Sequence, residues 1–163
     1  MHKTIAPLAR RISNILGRGS VTLSNAAGKL QTLQISLLAD EAKDGIEHFE
    51  PYGFTSNPKA GAEVLAGFLE GDRSHGVVII AADRRYRVKN LLPGEVAIYD
   101  DHGSFIKFTQ AGIDISGGNH PITINNAATV TVTGGDIVAD GISLKNHKHS
   151  GVTVGSAQTG IPI

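Results

Sequence analysis

The chain has 163 residues, fifteen basic against fifteen acidic side chains, and no cysteine, which leaves room for one ordinary domain or two small ones. The cancelling charges exclude a global field of the kind that draws in nucleic acid or an anionic membrane, and the missing cysteines exclude disulfides and thiolate metal sites. No apolar run approaches the ~18 residues of a membrane span, and Met1-His2-Lys3-Thr4 lacks the apolar core of a secretory signal, so the expectation is a soluble protein made in the cytoplasm.

Ile5, Leu8, Ile12, Ile15 and Leu16 recur at helical spacing, with Arg10 and Arg11 off the stripe. Pro7 fits only a first turn and Gly17 is a plausible stop. Residues 1–19 therefore read as a short N-terminal helical segment packed on its own domain or on a neighbour.

From Ser20 to about Asp100 the signals are those of short strands. Val21-Thr22-Leu23 and Leu30 to Leu37 flank Asn25-Ala26-Ala27-Gly28-Lys29, a hairpin connection. Ala62 to Phe68 and Gly76 to Ala82 are joined by the polar turn Glu70 to His75. Val77-Val78-Ile79-Ile80 is a continuous apolar run, as expected of a strand covered on both faces. Val96 to Tyr99 follows Pro93-Gly94 and closes the segment. About five strands over residues 20–100 suit a small OB-like barrel, because closure removes exposed edges; a small sandwich is the competing reading.

After Asp101-His102-Gly103 charges thin out and Gly, Thr, Asn and β-branched residues take over. Ile113/Ile115, Ile122/Ile124, Val130/Val132 and Ile142/Leu144 are i, i+2 pairs, and Thr123, Thr129, Thr131 and Thr133 fall on the opposite face. Gly117-Gly118, Gly134-Gly135 and Gly141 cut the run into short segments. The texture is that of a β-solenoid or intertwined β-helix, with too few large apolar groups for a core of its own. Three chains wrapped about an axis would bury the Ile/Val side; an ordinary four-stranded extension packed on the first domain accounts for the texture equally well.

Asn146-His147-Lys148-His149-Ser150-Gly151 ends this stretch. In an extended chain His147 and His149 share a face and form half of a metal site. No acidic residue follows Asp140, so nearby sequence does not complete a common catalytic set. Three copies on a threefold axis would present six imidazole nitrogens, an octahedral arrangement that suits a first-row metal such as iron. Ile142 and Leu144 have the opposite parity, so a turn or bulge around Lys145-Asn146 is required to bring the histidines to the same side.

Several segments resemble the baseplate central spike proteins of Mu-like contractile-tailed phages. They are Phe49-Glu50-Pro51-Tyr52-Gly53-Phe54-Thr55-Ser56-Asn57-Pro58 with Gly61-Ala62-Glu63, Gly71-Asp72-Arg73-Ser74-His75-Gly76-Val77-Val78-Ile79, and Arg85-Tyr86-Arg87 leading to Leu92-Pro93-Gly94-Glu95-Val96-Ala97-Ile98-Tyr99. The resemblance is close over residues 45 to 108, and the His-x-His tail fits the same group. It implies an all-β homotrimer in which an OB-like base domain (20–100) on the tail hub is followed by a trimeric intertwined β-helix shaft (101–150). A metal-binding tip and cap (147–163) would follow, with His147 and His149 of three chains holding one iron ion, or another first-row metal, per trimer. It further implies a virion protein of the tail baseplate, assembled in the host cytoplasm, whose partners are hub and baseplate proteins and whose target is the bacterial outer membrane. The function implied is mechanical rather than enzymatic.

The remaining candidates point to rival functions. Asp83-Arg84-Arg85-Tyr86-Arg87-Val88-Lys89 is a basic cluster around an aromatic residue, the chemistry of a single-strand nucleic-acid platform; a solvated loop or ion pairs explain it better. Glu41, Asp44, Glu47 and Glu50 resemble a glycosidase pair in composition but read as an exposed acidic loop. His75 and His102 lie in turn sequences. No Gly-x-Ser-x-Gly, phosphate-loop or His-Glu-x-x-His motif occurs, and a His-x-His oxygenase would need a third ligand and an open coordination position. The alternative to a spike is a non-enzymatic OB-type module binding nucleic acid or another ligand, with a β-rich oligomerisation tail.

Overall fold

The computed structural model of the chain describes residues 12, 14–38, 41–151 and 155. The chain divides into two compact units, residues 1–120 and 121–163, and the stretch expected as a shaft, 101–150, contributes to both.

In the first unit, β1 (Leu16–Asn25), β2 (Gln31–Leu37), β3 (Ala42–His48), β4 (Glu63–Phe68) and β5 (Gly76–Ala82) close into a barrel in the order β1-β2-β3-β5-β4. Every pairing is antiparallel except β3 with β5, which run parallel through Glu47↔Val77 and His48↔Val78. Strict alternation drives the closure. Gln31, Leu33, Ile35 and Leu37 of β2 are buried, and the residues between them are half-buried on the other face. Val21, Ile46, Val64, Ala66, Phe68 and Val78 complete an aliphatic interior around one aromatic ring. β1 can lie this close to β2 only because residue 19 is glycine; a Cβ there would sit 2.3 Å from the Ser36 carbonyl oxygen.

The barrel differs from the sequence expectation in its membership. Ala42–His48 is a barrel strand, not part of an acidic loop; its inward residues, Ile46 and His48, are too few to make a visible alternation. Val96–Tyr99, expected as the last strand of the 20–100 base domain, pairs outside the barrel. In the run Val77–Ile80 only Val78 is buried, while Ile79 and Ile80 are 51% and 56% exposed, because a single chain covers only the inner face of β5. The expected N-terminal helix falls largely outside the described residues. Ile12 is helical, but Leu16 already begins β1 and Gly17 lies inside that strand rather than at a helix end.

β6 (Val96–Tyr99), β7 (Ser104–Thr109) and β8 (Gly112–Gly117) form a separate antiparallel sheet in the same unit. Its register sets Val96, Phe108 and Ile113 in one row across the three strands and Ile98, Ile106 and Ile115 in the next. Alternate residues share a face, so these six side chains make one continuous apolar grid. All six are exposed, from 39% at Ile106 to 65% at Ile113. The opposite face is mixed, Ala97, Tyr99 and Phe105 lying beside Lys107, Asp114 and Ser116; the Lys107 ammonium is 3.5 Å from the Asp114 carboxylate and 4.9 Å from the Phe105 ring centre.

In the second unit, β9 (Val138–Ala139) and β10 (Ile142–Ser143) form a short hairpin. Its two-residue turn has positive φ at both positions, 48° at Asp140 and 83° at Gly141. That is the type I′ geometry that an Asp-Gly pair favours. Ile122, Ile124, Val130 and Val132 lie outside any strand and are exposed, so one chain alone does not fold the expected β-helix. Among the described residues no helix is long and apolar enough to cross a membrane.

Candidate metal centre and its surroundings

After β10 the chain turns at Leu144–Asn146, the place where strand parity demanded it. The His147 amide donates back to the Ser143 carbonyl at 3.1 Å, closing one tight turn. The turn leaves His147 and His149 adjacent and solvent-exposed, their ring centres 5.1 Å apart and their planes at 85°.

The His147 ring is held by its inner nitrogen. Nδ1 lies 3.0 Å from the Ser143 carbonyl oxygen and 3.0 Å from that of Leu144. Carbonyls only accept, so Nδ1 must carry the proton and the ring lone pair resides on Nε2. A histidine whose Nδ1–H is anchored on backbone carbonyls is in the tautomer that metal-binding histidines use when they coordinate through Nε2. The donor chemistry therefore fits a borderline metal ion held by imidazole. Among the described residues of one chain, no group of three or more His, Cys, Asp or Glu comes together. Two imidazoles from a single chain would supply two of the six positions of an octahedral ion.

The other candidate residues take up structural contacts. Arg85 pairs with Asp83 through Nε at 2.9 Å and donates from Nη2 to the Ala60 carbonyl at 2.9 Å. Arg84 reaches Glu63 at 3.2 Å. Tyr86 is half-buried beneath two cations, with Arg85 5.3 Å and Lys59 5.6 Å from its ring centre. The ring's surroundings are thus shared with two cations that themselves pair with carboxylates. Lys59 also bonds Asp101 across an open cleft of about 430 Å³ lined by Thr55, Asn57, Tyr86 and Tyr99, so the charges of that cleft largely neutralise one another.

Of the four acidic residues, Glu41 is gripped by Arg73 and Lys43, and Asp44 accepts the Gly45 amide at 2.9 Å. Glu50 accepts from the Ser56 amide at 2.6 Å and the Thr55 hydroxyl at 3.0 Å. Burial pushes the Glu50 carboxyl up, but these hydrogen bonds outweigh it and hold the group below the usual carboxylate range. Glu47 projects outward from β3. His75 and His102 are exposed beside Asp72 and Asp101, at 3.7 and 3.0 Å.

Sequence reasoning passed over the one buried histidine among the described residues. His48 is 5% exposed; its Nδ1 lies 3.1 Å from Gln31 Oε1, and Gln31 Nε2 donates to the Ser56 carbonyl at 2.7 Å. This chain ties β3, β2 and the 49–58 loop together inside the barrel mouth. Its signal in the sequence was slight: a histidine two residues after Ile46.

Comparison with known proteins adds two matches on separate parts of the chain. Residues 18–85, which hold the barrel, match the family described as Bacteriophage Mu Gp45, N-terminal. Residues 141–162, which hold both tail histidines, match the GpV Apex motif. The chain is 38% identical over 112 residues to the baseplate puncturing device gp45 of Escherichia phage Mu, an alignment covering 69% of this chain and 57% of that protein. It is 30% identical over 173 positions to the Mu-like prophage FluMu protein gp45 of Haemophilus influenzae, covering 91% of this chain and 93% of the relative.

Proposed function

The chain belongs to the Mu-like baseplate spike family, and from that membership we propose that it is the central spike of a contractile tail baseplate, acting as a homotrimer that pierces the bacterial outer membrane. The OB-like barrel is the base that docks on hub and baseplate proteins. The glycine-, threonine- and isoleucine-rich stretch is the shaft. His147 and His149 of three chains hold one structural metal ion, iron by preference, at the point. The ion supplies a cross-link between chains where little apolar core is available; six imidazoles fill an octahedral ion and leave no position for a substrate. The work comes from sheath contraction and the protein transmits it.

One observation carries the assembly: the apolar grid of Val96, Ile98, Ile106, Phe108, Ile113 and Ile115 that a lone chain leaves in water. Contiguous apolar faces of this kind mark interaction surfaces. The exposed Ile122, Ile124, Val130 and Val132 further along the chain have the same requirement. Packing equivalent faces about a threefold axis satisfies it with no other partner.

Native mass spectrometry of the purified chain tests this reading. The expected species is a trimer with one metal ion per three chains, and replacing both His147 and His149 by Ala should remove the ion and leave the trimer. A metal-free trimer would keep the shaft and discard the tip assignment. A monomer would discard the spike in favour of a binding module.

A further inference from the structure

The turn that holds His147 is itself built around a residue outside the 141–162 segment that matches the apex family. Asp136 Oδ1 accepts the amides of Ile137 at 2.8 Å and Lys145 at 3.0 Å. Asp136 Oδ2 accepts the Ser143 hydroxyl, and that hydroxyl oxygen in turn accepts the Asn146 amide at 2.7 Å. The Leu144 amide donates to the Ile137 carbonyl at 2.8 Å. One carboxylate thus pins two successive amides of the turn, directly at residue 145 and through Ser143 at residue 146. The Ser143 and Leu144 carbonyls that receive the His147 Nδ1–H lie within that clamped segment.

We propose that Asp136 is the positioning residue of the tip: through Ser143 it fixes the turn whose carbonyls select the His147 tautomer and leave Nε2 free to ligate. The inference rests on the metal reading above for its purpose, but not for its geometry. Partners of this second kind, which orient a ligand without touching the ion, typically change metal affinity about 10–100-fold when removed. The Ser143 hydroxyl holds the Asp136 carboxyl below its ordinary range, burial opposes, and the Lys145 and Ile137 amides add to the lowering.

The test uses the full chain with ¹⁵N-labelled histidine. In the metal-free protein, the His147 ring should be protonated at Nδ1 alone. Asp136→Ala should yield a mixture of tautomers, and Asp136→Asn, which keeps an acceptor for both amides, should restore most of the original signal. Asp140→Ala strains the same hairpin at its type I′ turn without touching Ser143, and it should leave the tautomer unchanged. With metal added, competition against a chelator should show Asp136→Ala about 10–100-fold weaker. An Asp136→Ala protein with the wild-type tautomer and wild-type metal affinity overturns the proposal. So does an Asp140→Ala protein with the same tautomer mixture, since hairpin stability alone would then explain it. If the wild type binds no metal, the metal reading falls and the tautomer comparison still decides whether Asp136 governs the ring.

Discussion

Arg73 and Glu41 lock the β4–β5 turn onto the start of β3: the Arg73 Nε sits 2.9 Å from one Glu41 oxygen and 3.1 Å from the other. The guanidinium lies at the same time 4.7 Å from the ring centre of Phe68, the largest fully buried side chain. One side chain therefore covers the end of the core and carries an ion pair.

That pair has a definite pH signature. The hydrogen bond from Arg73 is the largest cause that lowers the Glu41 carboxyl from 4.5 to about 2, with burial opposing and Lys43 adding to the lowering. A carboxyl depressed on folding contributes stability above its unfolded pKa and loses it as pH falls through the folded value. Arg73→Met should cost on the order of 1 kcal/mol near pH 7, since both side chains are partly exposed and water screens them. In thermal melts the gap to wild type should hold from pH 7 to 5 and close towards pH 2. A gap that persists at pH 2 would assign the effect to packing on Phe68 instead.

The barrel interior should respond to shape. Phe68→Ala should cost ~3–5 kcal/mol by the usual penalty for a large ring replaced by a cavity. Gly19→Ala, which sets a methyl group against the Ser36 carbonyl, should cost ~1–3 kcal/mol through overpacking. Urea unfolding of both variants checks this; a neutral Gly19→Ala would mean that β1 and β2 can separate freely at that point.

The polar chain through His48 should be costly to cut at its centre. Gln31→Ala strands the His48 Nδ1 and the Ser56 carbonyl together, and unpaired buried groups cost ~1–3 kcal/mol. The next residue, Thr32, faces the other side, and Thr32→Ala should stay within about 0.5 kcal/mol of wild type. Equal losses at the two positions, measured by denaturant midpoints, would contradict the assigned role of Gln31.

The apolar grid should control assembly and not folding of the barrel. Ile106→Asp places a charge among Ile98, Phe108 and Ile115. Analytical ultracentrifugation should find the variant as a monomer while its barrel still unfolds cooperatively. An Ile106→Asp protein that assembles like wild type would place the interface elsewhere.

How much of this was legible in the sequence depends on which force fixes each part. The β1–β2 and β4–β5 hairpins were readable, because Leu33, Ile35 and Leu37 alternate and Glu70 to His75 is turn chemistry. β3 was hidden: Lys43, Asp44, Gly45 and Glu47 face out or bend the strand, and only Ile46 and His48 report the inside. The membership of β6 was unreadable because its row partners, Phe108 and Ile113, are themselves exposed in one chain; an alternation pattern states that a face is apolar without stating what covers it. At the tip, parity alone required the turn before His147. The contribution of Asp136 was invisible, since it acts from seven to nine residues upstream through hydrogen bonds that leave no periodic trace.

The parallel contact between β3 and β5 is only two residue pairs long, with the Phe49 amide continuing it to the Val78 carbonyl at 3.1 Å. Two seams of the barrel join strands that no hairpin connects, β1–β4 and β3–β5, and each must wait for a long loop to close. The first is held by five residue pairs and the second by two, so the β3–β5 edge is the barrel's zip, the first to part. Amide exchange should be fastest along that edge among the five strands, and His48, sealed just inside it, should meet solvent through local opening long before the molecule unfolds as a whole.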